Sequence, residues 1–345
     1  MAVQLSARSE QVLKIVVEGY VSSAQPVGSG RVLATGALHC SPATVRNDMV
    51  RLMEAGYIEQ PHTSAGRIPT DKGYRHYVDH LMCVPARSPR VRESIDRRLA
   101  RFEGWTEAIC QEACRMLLKA VGQAAIVVTS VASEAVIRHV HLQRVAPRTL
   151  VLMVAFSTGH VLHHSLDEAT PLSAQEVARC GRLLRGALAG RTLAEARQAL
   201  ADLRAQMSAL EGRAPLFGLL ASLVEAPQNV QQVFFEGAAL IAEAPELRHS
   251  AGLPDLLSLL DRGDRLGHTV LAVSAGRDFA VSIGKENPAS EMRQCSLMLR
   301  TLTIREDPPT RATLAVLGPT RMDYPRIAGT LRDFAAGLPR WLGGR

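Results

Sequence analysis

No stretch of this sequence comes near the ~18 uninterrupted apolar residues that a membrane-spanning helix needs. The N-terminal run MAVQLSARSEQV has no basic segment followed by an apolar one, so no secretory leader is expected. These two absences predict a soluble, cytoplasmic chain without a membrane partner. The cysteines (Cys40, Cys83, Cys110, Cys114, Cys180 and Cys295) are scattered, which fits reduced thiols in a cytosol better than a disulfide framework. There is no glycine-rich phosphate loop, no nucleophile elbow and no paired-carboxylate motif. An enzyme therefore has little to rest on, and no cofactor is expected. Internal repeats and low-complexity tracts are also missing.

What is present is a chain of 345 residues, enough for two or three domains that each bury a core. Its formal net charge is +7, most of the excess being arginine, and its pI is near 9.4. Such a balance favours a polyanionic partner, nucleic acid first among them.

Apolar residues at Val12, Ile15, Val16 and Tyr20 carry a helical period over 6–22, with Ser6 as N-cap. SAQPVG ends that helix, and a second short one is predicted over 29–37. It would hold Gly30 and Gly36, each costing about 1 kcal/mol in a helix interior. A third follows GALHC, opening on Ser41-Pro42 and closing at Gly56. Another helix is expected over 70–84, capped by Thr70. VPARSPRVR (84–92) reads as a linker, and one long helix is predicted from about 91 to 121. Strands are predicted at 124–131, 136–145, 148–156 and 160–166, then helices over 173–224 behind Ser173. Further strands are expected at 230–236, 269–274, 279–283, 296–304 and 312–317, with a final helix over 324–338. A helical block between strand-bearing blocks suggests an insertion in an α+β domain.

The segment SPATVRNDMVRLMEAGYIEQPHTSAGR (41–67) carries the functional signal. Val45, Met49, Leu52 and Met53 fall on one side of the helix. Ala43, Thr44, Asn47 and Arg51 fall opposite, with Arg46 and Val50 flanking. Small residues permit close approach to a groove, Asn can read adenine, Arg guanine, and Thr a thymine methyl. On periodicity alone a solvated amphipathic helix is an equal reading. The neighbouring segments shift the balance, because Tyr57–Gln60, a turn at 61–66 and Arg67-Ile68-Pro69 form a small β-wing with His62, Thr63, Ser64 and Arg67 at its tip. Such a tip suits phosphate or minor-groove contact. Three helices and a wing are a winged helix-turn-helix. Residues 1–85 carry eight basic and seven acidic side chains, a net of +1, so charge placement must carry affinity, and dimerisation is needed to strengthen it.

PVGS (26–29), SPATVRNDM (41–49), LMEAGYIEQPHTSAGRIPTDKGYRHYVD (52–79), VHL (140–142), VFFEGA (233–238), IGKENP (283–288), CSL (295–297) and LGPTRMDYPR (317–326) together resemble the heat-inducible transcription repressor family HrcA. The resemblance spans almost the whole chain. It implies an α+β multidomain homodimer: a winged helix-turn-helix (1–84), a linker and connecting helix (85–122), a GAF-like α+β domain (123–166 plus 230–345) and an inserted helical dimerisation domain (167–229). It implies repression of chaperone operons of the groE and dnaK type through a CIRCE inverted repeat in double-stranded DNA, supported by the GroEL chaperonin. The DNA-contacting set would be Ser41, Ala43, Thr44, Arg46, Asn47 and Arg51 on the recognition helix, with His62, Thr63, Ser64, Arg67, Lys72 and Arg75 on the wing and its flank. An alternative keeps the DNA-binding end but places a small ligand in the GAF-like domain.

Three other groupings have blander readings. His139, His141, His160, His163 and His164 lack a Cys or carboxylate to complete metal-ligand spacing, so no metal is expected. Cys110 and Cys114, one helical turn apart, read as packing rather than a redox pair. GPTRMDYPR (318–326) reads as a structural loop capping the last helix.

Overall fold

The structure is a computed structural model that describes residues 5–62, 65–102, 106–131, 135–158, 161–167, 172–208, 230–305 and 310–342. Among these residues it is a mixed α+β chain with three sheets.

The chain opens with α1 (Ala7–Ser23), α2 (Ser29–Ala34) and α3 (Pro42–Glu54). A minimal antiparallel hairpin comes next, β1 (Ile58–Glu59) against β2 (Ile68–Pro69), and then α4 (Asp71–His76), which continues as a π turn over Tyr77–Leu81. Ser6 and Thr70 cap their helices as expected, accepting from the amides of Ser9 and Gly73. The second helix stops sooner than predicted. Gly36 lies beyond its end at φ +68°, and Gly30 falls in its first turn, so neither sits in a helix interior.

The predicted helix over 91–121 is two helices, α5 (Pro89–Leu99) and α6 (Thr106–Val121). They pack against each other, which a continuous rod cannot do. Next come β3 (Ala124–Val131), β4 (Ile137–Ala146), β5 (Thr149–Phe156) and β6 (Val161–Asp167). After them are α7 (Ala174–Leu188), α8 (Leu193–Ser208), β7 (Val230–Glu236), α9 (Ala238–Glu243), α10 (Leu253–Asp261) and α11 (Gly263–Ser274). The chain closes with β8 (Phe279–Ile283), β9 (Cys295–Arg305), β10 (Thr310–Pro319), α12 (Tyr324–Gly337) and α13 (Pro339–Leu342). The strand expected at 269–274 is the second half of α11. Its β-branched residues mimic a strand, but Leu266, Val270 and Val273 are buried at helical spacing.

Five strands form one antiparallel sheet in the order β7-β3-β10-β9-β8. Both of its faces are covered, and strand alternation sorts the residues. Ala125, Val127, Leu314 and Val316 face α5, α6 and α12, whereas Ile126, Val128, Ala315 and Leu317 face α9, α10 and α11. The apolar core of the N-terminal helices runs without a break into the first of these layers.

Strands β4, β5 and β6 do not join that sheet. They form a three-stranded antiparallel sheet of their own, with α7 and α8 against one face around Val140, Leu152, Leu184 and Leu200. Of the strands within 123–166, β3 pairs with β7 and β10. A hydrogen bond from Gln232 Nε2 to the Val161 carbonyl (2.9 Å) ties the two sheets. Within 167–229, residues 168–171 and 209–229 lie outside the described ones.

Cys110 and Cys114 are buried in α6, Cys114 Sγ lying 3.1 Å from the Ala125 carbonyl, and burial pushes both thiols up to about 12. Cys295 is pushed equally high by burial, while Cys83 is exposed. At about pH 8 a thiol reagent is therefore expected to label Cys83 in the native chain, reaching Cys110, Cys114 and Cys295 only after denaturant. Rapid native labelling of Cys110, read by peptide mass spectrometry, would contradict this packing.

Candidate nucleic-acid interface

The interface begins with the two faces of α3. Val45, Met49 and Leu52 are buried against α1 and α2. Asp48 is buried beside them, only 1% exposed, where a carboxylate needs a partner. It accepts from Arg8 Nε (2.6 Å) and from Ser9 Oγ (3.4 Å), both on α1. The bond from Arg8, followed by the charge of Asp48, holds the Arg8 guanidinium protonated above its ordinary range. The clamp fixes α3 on α1, and sequence reasoning misses it. The available signal is an acidic residue within the apolar stripe 45-49-52.

The other face of α3 points to solvent. Ala43, Arg46, Asn47, Val50 and Arg51 are exposed, and Thr44 is partly so. The side chains of Arg46, Asn47 and Arg51 make no hydrogen bond or ion pair with any described residue. Three polar side chains thus stand on one surface with their donors unspent.

Ser41 caps the helix, its Oγ accepting from the Thr44 amide at 3.2 Å, with Pro42 at the first helical position. Ser41→Ala is expected to cost about 1 kcal/mol of helix stability. Ser41→Asp keeps the cap, so its thermal midpoint should stay near that of the native chain. Its DNA affinity should nevertheless fall if this helix end meets phosphate. Equal DNA affinity for Ser41→Asp and the native chain would move the contact elsewhere.

The hairpin follows α3, its first strand packing against that helix. Val27 pairs with Arg67 through two backbone hydrogen bonds of 2.9 Å, adding the turn between α1 and α2 to the edge of the hairpin. Gly66 makes that approach possible, since a Cβ there would strike the Val27 backbone. Gln60 Nε2 closes the loop by donating to the Ala65 carbonyl at 3.0 Å. His62 is exposed at the tip, and Thr63 and Ser64 lie outside the described residues. Arg67 is half-buried rather than at the tip, with Nη1 donating to the Ala65 carbonyl at 3.3 Å.

The flank differs from the sequence expectation. Lys72 is exposed, but its Nζ donates to the Ala55 carbonyl at the end of α3 (2.7 Å) and lies 4.4 Å over the Tyr57 ring. It satisfies an orphan carbonyl of the helix terminus. Arg75 does not join this surface. Its Nε donates to Glu286 Oε1 (2.9 Å), Nη1 to Asp79 Oδ1 (3.1 Å) and Nη2 to the Val281 carbonyl (2.7 Å). The bond to Glu286 first, and then the charge of Glu286 and the bond to Asp79, raise its pKa against the opposing effect of burial.

Of the five histidines singled out in the sequence, His160 lies outside the described residues. His139 and His141 are exposed on β4, and His141 and His163 flank Met153 in register. Among the described residues no three His, Cys, Asp or Glu side chains come together as a metal site, and no helix is long and apolar enough to cross a membrane.

The family profile described as HrcA protein C terminal domain matches residues 107–328. The chain is 35% identical over 343 residues to the heat-inducible transcription repressor HrcA of Thermobifida fusca, covering 99% of this chain and 98% of that one. It is 31% identical to the protein of the same name from Desulforamulus reducens, covering 98% and 97% of the two chains. A crystal structure described only as that of a hypothetical protein shares the fold, with a TM-score of 0.59 at 21% identity and 99% of each chain covered. The class these relatives define is that of transcription repressors. This chain belongs to the HrcA family.

Proposed function

We propose that the chain represses heat-shock chaperone operons of the groE and dnaK type by binding a CIRCE inverted repeat as a homodimer. In this reading α1, α2, α3 and the hairpin form a winged helix-turn-helix, with α3 in the major groove. Ala43, Thr44, Asn47 and Arg51 meet bases, and Arg46 and Ser41 lie at the groove edge. His62, Thr63, Ser64 and Arg67 meet backbone or minor groove. Lys72 supports the end of α3, and Arg75 is left out of the contact set. The observation that carries the reading is the outward face of α3, whose Asn and Arg side chains have no partner within the described chain.

The five-stranded sheet with its helices is the GAF-like domain. The smaller sheet with α7 and α8 belongs with the inserted dimerising unit, so that unit starts before residue 167. The GroEL chaperonin supports the active form, and heat draws it away to unfolded proteins. Sedimentation of the chain with an intact inverted repeat and with a single half-site tests the dimeric mode. Two chains per repeat, with much weaker binding of the half-site, is the expected result. One chain per repeat at equal affinity would overturn it.

A ligand-controlled repressor is favoured by one observation. A cavity of about 430 Å³ opens beside α10, bordered by Leu247, Asp255, Leu256, Glu291 and Arg293, within the size range of small-molecule sites. A metabolite that raises the thermal midpoint and changes operator affinity would support this second reading.

A further inference from the structure

Two sequence motifs, IGKENP (283–288) and LGPTRMDYPR (317–326), have no part in the DNA contacts proposed above. Both meet the N-terminal helices. The Lys285 amide donates to Asp71 Oδ2 at 3.1 Å, at the first residue of α4. Gly284, at φ +53°, lets the turn come this close, because a Cβ there would overlap the Asp71 carboxylate. One turn further along α4, Arg75 reaches Glu286 and the Val281 carbonyl. Glu286 is itself held by the Ile283 amide at 2.9 Å. Buried Asn287 anchors the turn, its Nδ2 lying 2.8–3.0 Å from the carbonyls of Gly284, Met292 and Cys295, which share its two N–H groups.

The second motif closes the other side. Arg321 Nη1 donates to the Val21 carbonyl near the end of α1 (2.9 Å), and its Nε pairs with Glu246. Between the two polar contacts, the Tyr74 and Tyr324 rings pack with centroids 5.7 Å apart. Tyr324 is fixed in turn, sharing a hydrogen bond with Ser296 Oγ (2.7 Å) and donating to the Thr320 carbonyl (2.6 Å). A flexibly tethered DNA-binding module needs none of this. The joint takes α4 and the end of α1 and leaves the outward face of α3 open.

We propose that the 284–287 turn and Arg321 are positioning elements for DNA binding, holding the N-terminal module against the α+β body in the orientation that engages the operator. This rests on the DNA reading above. Two copies joined through their bodies then present their two α3 helices at a set separation. Loosening the joint lowers the effective concentration of the second module at its half-site.

The test is a reversible lock. Asp71→Cys with Lys285→Cys, in a chain carrying Cys40→Ser and Cys83→Ser, removes the contact when reduced and restores it as a disulfide when oxidised. Mild oxidation should close the bond in nearly all molecules. The reduced form should bind the CIRCE-type duplex about tenfold or more weakly than the parent chain, and the oxidised form should regain parental affinity. Glu286→Ala, without engineered cysteines, should show a similar loss, with its thermal midpoint reporting that the chain is folded. A disulfide that does not form, or an oxidised form that binds no better than the reduced one, would overturn the positioning role. A parent chain that selects the repeat while both open variants bind equally well would overturn the joint alone. A parent chain that does not select the repeat would overturn the DNA reading and the joint with it.

Discussion

Replacing Asn47 and Arg51 together with alanine is expected to weaken operator binding by roughly 30-fold to 10⁴-fold. Each bidentate base contact discriminates by about 1–3 kcal/mol, and each 1.4 kcal/mol is about a factor of ten. Both side chains are exposed and make no bond within the described chain, so folding should not suffer. Titration against the native repeat and against repeats with single altered base pairs separates two kinds of contact. If Asn47 and Arg51 read bases, the double variant loses affinity for the native repeat and no longer distinguishes the altered ones. If they touch only phosphate, affinity falls uniformly across sequences and the salt dependence becomes shallower. Unchanged binding would remove α3 from the interface.

The second large effect is at the joint between the N-terminal helices and the α+β body. Tyr74 is 2% exposed and is among the largest fully buried side chains. Truncating a buried aromatic to alanine costs about 3–5 kcal/mol, transfer and cavity terms together. Tyr74→Ala should therefore lower the denaturation midpoint markedly. Its hydroxyl has no hydrogen-bond partner among the described residues, and burial raises its pKa well above the ordinary phenol range. Tyr74→Phe keeps the ring and sheds an unpaired polar group, so its stability should be equal to or higher than that of the native chain. A large loss in Tyr74→Phe, measured by urea denaturation, would mean that the hydroxyl is bonded and the packing differently arranged.

Much of the N-terminal end is legible in the sequence because local rules decide it. Ser6, Ser41 and Thr70 cap their helices, Pro42 opens α3, and the 45-49-52 stripe faces inward. The capping box of Ser173 with Glu176 marks the start of α7, and Asp323 caps α12 through the Arg326 amide. What escapes the sequence is set by long-range choices. Nothing in the β4, β5 and β6 segments says that they pair only with one another. The β-branched run at 269–274 satisfies a strand pattern and a helical one, and tertiary packing decides for the helix. Arg75 reads as a free arginine near the wing, yet its partner Glu286 lies 211 residues away. Asp48 is hidden for the same reason, since Arg8 is 40 residues distant. Charged residues whose partners are remote are the ones a linear reading assigns to solvent or DNA.

The central claim is that α3 gives this chain sequence-specific binding to an inverted repeat. Fluorescence anisotropy with a CIRCE-type duplex beside a scrambled one of equal length, with and without GroEL and ATP, tests it most directly. The predicted result is tight binding to the repeat alone, strengthened by GroEL and lost in the Asn47→Ala, Arg51→Ala double variant. Equal, weak, salt-sensitive binding to both duplexes would contradict it.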